Sequence, residues 1–144
     1  MNQNQYEKKN VSGDRFIRYV LLTNGLSTGI LGIIIILFPH FVASLTGLDR
    51  SSYLVGTGIF LLIFIAFVFG TVKMKFIRPL YVLIFSVVDF LWVIGSIFLI
   101  AENGTWFTMT FLGIWIVVLV ALVVGAFAIC EFYYWWVNRS LKKG

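Results

Sequence analysis

Residues 77–101 read IRPLYVLIFSVVDFLWVIGSIFLIA. Beyond Arg78-Pro79 this stretch carries a single charge, Asp89. At 1.5 Å of rise per residue, about 20 apolar residues cross the hydrocarbon core of a bilayer as a helix. The stretch is long enough to do so. Three more runs share its character, at about 16–38, 53–72 and 106–137. The sequence therefore predicts an all-α, polytopic integral membrane protein. Its fold is a four-transmembrane-helix bundle, up-down-up-down with short loops. The first run is longer than the apolar core of a signal peptide, about 7–15 residues. It ends at Pro39-His40, so it is read as a retained helix. The fourth exceeds what a bilayer needs, and its surplus is expected to emerge as an interfacial helical extension.

Composition agrees. Of the 144 residues, 60% are hydrophobic and only 12% charged. Soluble domains carry about 25% charged residues. Water is therefore not the main solvent of this chain. The net charge is +5, but the basic residues fall in short clusters between apolar runs, not in a stripe on one folded face. That pattern argues against nucleic acid and for a topology signal. Ten Lys and Arg residues flank the runs on one side: Lys8, Lys9, Arg15, Arg18, Lys73, Lys75, Arg78, Arg139, Lys142 and Lys143. Only Arg50 lies on the other. The positive-inside rule then places both termini in the cytoplasm. Residues 1–15 are read as a cytoplasmic tail, 16–137 as the transmembrane domain and 138–144 as a basic cytoplasmic tail. The outer connections are short, 39–52 and 102–105. The second contains Asn103-Gly104-Thr105, a glycosylation pattern too close to the membrane to be a good acceptor.

Residues 58–70 (GIFLLIFIAFVFG) and 113–125 (GIWIVVLVALVVG) match at five of thirteen positions, both end glycines included. Two duplicated hairpins would give this match, and so would chance among apolar helices; both readings stay open.

Asp89 is the candidate centre of function. An ionised carboxylate mid-membrane costs roughly 2.5–3.5 kcal/mol on insertion scales. It must face the bundle or a wet cavity. Ser86, Trp92 and Ser96 share its helical face. On the first run Asn24, Ser27 and Thr28 form a polar stripe, with Thr28 at about the depth of Asp89 and Asn24 one turn below. Gly25, Gly29 and Gly32 allow another backbone to approach closely. The candidate site for a proton, cation or polar ligand group is thus Asp89, Trp92, Ser86, Ser96, Asn24, Ser27 and Thr28. The competing reading is a structural hydrogen bond between the first and third helices. Glu131 is a secondary candidate. It is placed near the cytoplasmic end of the fourth run, where it can meet headgroup water, pair with Arg18 or Arg78, or act as a gate. The apparent difference in depth argues against a close pair with Asp89.

One cysteine, Cys130, and one histidine, His40, exclude an intramolecular disulfide and a histidine-rich metal site within one chain. Cys130 reads as an apolar filler and His40 as an interfacial residue. No catalytic triad, zinc spacing, phosphate loop or dinucleotide fingerprint is present, which disfavours an enzyme. No cofactor can be specified.

The stretch Gly29-x-x-Gly32, an Ile-rich run, Pro39, Leu45-Thr46-Gly47-Leu48 and a glycine-bearing second helix resembles the small bacterial four-helix membrane proteins of the DoxX-like group. The likeness covers about the first half of the chain. It implies a four-helix bundle in a bacterial cytoplasmic membrane, and it carries no catalytic residue onto these positions. The expected partners are the lipid bilayer and either further copies of the chain, since four helices enclose little volume, or another membrane protein. The function expected is a binding or transport module around Asp89, with a structural accessory subunit as the alternative.

Overall fold

The computed structural model describes residues 3–48, 51–75, 77–106 and 108–139, with side chains from residue 14 and not for residue 51. Asp49, Arg50, Lys142, Lys143 and the side chains of Lys8 and Lys9 lie outside the described residues. The protein is an all-α four-helix membrane bundle with a fifth, short helix. The elements are α1 (Gln3–Leu37), α2 (Pro39–Thr46), α3 (Ser51–Val72), α4 (Pro79–Ala101) and α5 (Phe111–Arg139). The long apolar spans are Asp14–Leu37, Ser52–Val72, Pro79–Ala101 and Phe111–Arg139.

α1 begins at Gln3, so the helix runs on through most of the stretch read as a tail. No proline interrupts residues 3–16, and Gln, Glu and Lys are good helix formers. The connection read as a loop at 39–52 contains α2. Pro39 occupies its first turn, where a missing N–H costs nothing and a fixed φ is already helical. α2 stops at Gly47, which is left-handed at φ 80° and donates its N–H to Ala43 O. α5 starts at Phe111, later than the apolar pattern indicates, because Thr110 caps it. The Thr110 hydroxyl accepts the Gly113 N–H at 2.9 Å.

α1 packs mainly on α3 and α4 on α5; α1 also meets α5, and α2 rests on α3 and α5. Phe64 of α3 meets Phe85 of α4 edge-on, with ring centroids 5.6 Å apart. α1 and α4 therefore face each other across the diagonal of the bundle. Two contacts tie its ends. At the loop end, Thr110 donates its N–H to Thr46 O at 2.9 Å and its hydroxyl to Leu45 O. At the basic end, Arg18 donates to the carbonyls of Val72, Met74 and Lys75, satisfying the exposed end of α3.

Two apolar clusters fill the interior. One, toward the basic end, includes Ile17, Leu21, Val68, Val82, Phe85 and Tyr134. The other, toward the loops, centres on Ile35, Leu54 and Leu61, with Trp92 and Val42 against it. The outward faces are apolar too, with Leu26, Phe67, Leu91, Ile97 and Leu122 exposed. Such a surface suits lipid, not water.

A Cβ on Gly113 would collide with the Thr46 backbone, whereas one on Gly56 would meet nothing. Gly113→Val should therefore lower stability by about 1–3 kcal/mol, and Gly56→Val should be close to silent. Denaturation midpoints in mixed detergent–SDS micelles would separate the two.

Candidate functional site

Between the two apolar clusters lies a polar layer. Asn24 and Glu131 are 0% exposed and Asp89 is 4% exposed. Asn24 sits on α1, Asp89 on α4 and Glu131 on α5, so the layer joins the α1/α3 hairpin to the α4/α5 hairpin. The Asn24 amide nitrogen donates to Asp89 Oδ2 at 2.6 Å and to Glu131 Oε1 at 3.1 Å. The Asn24 carbonyl oxygen accepts from the Thr28 hydroxyl at 3.1 Å. Every polar group of that amide is used.

The two acids were expected at different depths. The structure brings both onto one nitrogen. Asp89 follows the start of α4 at Pro79 by ten residues, and Glu131 precedes the end of α5 at Arg139 by eight. At 1.5 Å per residue both lie about 12–15 Å from the basic end. Glu131 is buried within the bundle at the level of Asp89. It does not pair with Arg18, whose guanidinium is spent on the end of α3. Asn24, not Thr28, meets Asp89 directly. The expected register was one turn off because the first span begins at Asp14, not at residue 16, and α4 at Pro79, not at residue 77; together these shift the count by four residues.

Other candidates fall outside this network. Ser27 is exposed on the outer face and donates to Thr23 O and Asn24 O of its own helix. At 3.6 residues per turn it is rotated about 60° from Asn24, away from Thr28. Ser96 bonds back to Trp92 O, also within its own helix. Ser86 does cross between helices, donating to Ala128 O at 2.8 Å one turn from Glu131. Gly25, Gly29 and Gly32 approach α3, with a Cβ at Gly32 coming 3.3 Å from Gly58 O. Tyr134, on the surplus of the fourth run, is buried and donates its hydroxyl to Asp14 at 2.7 Å. An acid at the start of the first span facing a tyrosine near the end of the last was the available signal.

A cavity of about 20 Å³ adjoins Asp89 on the loop side, lined also by Thr28, Phe64, Trp92 and Val124 among others. Two buried polar atoms at this level have no partner, Trp92 Nε1 and Glu131 Oε2. Among the described residues no group of histidine, cysteine, aspartate and glutamate side chains is arranged to hold a metal ion. The functional groups of the site are two carboxyl groups, which can carry protons, accept hydrogen bonds and attract positive charge. Comparison of the chain with protein-family models, curated proteins and solved structures gave no match.

Asn24→Leu would leave both acids without a donor and Thr28 without an acceptor. It should cost about 2 kcal/mol or more, since each orphaned buried group costs roughly 1–3 kcal/mol. Ser27→Ala, which removes bonds only within α1, should stay within about 0.5 kcal/mol. Unfolding in mixed micelles followed by circular dichroism would rank them.

Proposed function

We propose that the protein is an intramembrane binding module for a proton or a small monovalent cation, with Asp89 and Glu131 as its seat. One observation carries this reading. Two carboxyl groups share a single amide donor at the centre of a membrane bundle, and the nearest cation on α1, Arg18, is engaged elsewhere. Two bare negative charges there are untenable, since each alone costs several kcal/mol. Charge balance at the site must come from something bound. The distribution of Lys and Arg supports a topology with the basic end in the cytoplasm.

A second reading has support in the small size of the cavity, about 20 Å³. In it the Asn24 network is a helix–helix contact and the protein an accessory subunit of a larger membrane assembly. That role needs no exchange of bound charge. The two readings part in a titration of purified protein in weakly buffered detergent solution. Wild type should take up at least one proton more, or bind one cation more, than the Asp89→Asn/Glu131→Gln variant, both being monodisperse. Identical proton and cation binding by the two proteins would defeat the first reading and leave the second.

A further inference from the structure

The cavity beside Asp89 narrows the choice of ion, given the binding role proposed above. A buried water needs about 10–15 Å³ of space and two to four polar partners. The cavity has about 20 Å³ and three polar residues in its wall: Thr28, Asp89 and Trp92. The rest of the wall is apolar, including Phe60, Phe64 and Val124. The polar groups are complementary to water in kind. Trp92 Nε1 is a donor buried without an acceptor. The only hydrogen bond at Asp89 among the described residues goes to Oδ2, from Asn24. The Thr28 hydroxyl gives its hydrogen to Asn24, leaving its oxygen to accept.

An alkali cation would find oxygens on two side chains only and would leave the Trp92 N–H unanswered. Ammonium has no lone pair to accept that N–H either. Water accepts from Trp92 and donates to Asp89 and Thr28.

We infer that the cavity seats one water between Trp92, Asp89 and Thr28, and that this water delivers the proton to Asp89 and takes it away, so that the ion handled is the proton rather than an alkali or ammonium cation. In loading, a proton passes from a solvent hydronium onto the seated water as that water gives one of its own hydrogens to the Asp89 carboxylate. Net, one O–H bond breaks on the hydronium, one forms on Asp89, and a neutral water stays behind. Release is the reverse. Among the described residues, the other titratable group facing Asp89 is Glu131 of α5. α1 brings Asn24 and Thr28 and α3 brings Phe60, Leu61 and Phe64, none of which titrates in this setting.

Infrared difference spectroscopy between acid and base, on the chain in phosphatidylcholine vesicles, reads the carboxylic C=O band directly. Wild type should show that band, and Asp89→Asn should lose part of it. Trp92→Phe, which keeps a ring but removes the N–H, should shift the band without abolishing it, as should Thr28→Val. Sodium, potassium and ammonium should leave it unchanged. Saturable loss of the band with one of these cations would overturn the inference while sparing the binding role. A Trp92→Phe spectrum that coincides with wild type would also overturn it. No carboxylic band and no cation response would overturn both. Should Asp89→Asn fail to fold, Trp92→Phe and the cation series still decide.

Discussion

The Asn24 amide gives its two hydrogens to acids on two different helices, and in lipid those two bonds have no substitute. Lipid tails offer no donor to a buried carboxyl group, so the acids depend on the interior of the bundle for their hydrogen bonds. One amide has two N–H groups and one carbonyl. Here the N–H groups meet Asp89 and Glu131, and the carbonyl meets Thr28. Reversing the amide would set its oxygen against two acid oxygens, which works only if both acids carry protons. It would also take the acceptor from Thr28. The observed orientation is the one that serves all three neighbours with fewest bound charges.

Around this layer the usual order of a protein is inverted. Leu26, Phe67 and Leu122 face outward, whereas Asn24, Ser86, Asp89 and Glu131 are within. Lipid tails are as apolar as leucine, so burying more leucine gives little drive to assemble. Close backbone approach and interhelical hydrogen bonds provide it instead. Gly32 lies against Gly58, Ser86 reaches the Ala128 carbonyl, and Arg18 closes the end of α3. The apolar clusters above and below, around Leu61 and around Leu21, keep the acids from either end of the bundle.

Much of this was legible in the residues. Four long apolar runs dictate four spans, because length and hydropathy are local properties. Asp89 announced itself as a lone charge in such a run. Its partner Glu131 was seen but placed too shallow. Depth depends on where α4 and α5 begin and end, and neither boundary is marked by hydropathy alone. Pro79 sets the start of α4, and α5 runs on to Arg139, eight residues past Glu131. α2 was missed for a related reason: eight residues behind a proline read as loop until Gly47 and Thr110 are seen to hold them. The glycines of the 58–70 and 113–125 match do unlike work. Gly58 admits α1, while Gly113 admits the Thr46 backbone of α2. Sequence similarity at those positions therefore does not imply the same packing.

The acid layer also lies where the protein is least bound together. Each hairpin is extensively packed within itself, α1 on α3 and α4 on α5. Between hairpins the contacts are fewer: Asn24 with the two acids, Thr46 with Thr110, Tyr134 with Asp14, and the apolar clusters. Charge placed on the acids falls on that seam. Neutral carboxyl groups let α1 close on α4 and α5. Two ionised ones would repel each other in a medium that screens poorly, and would be relieved by admitting water between the hairpins. Under the proposed binding role, loading of the acids and closure of the two hairpins would rest on the same three side chains, Asn24, Asp89 and Glu131.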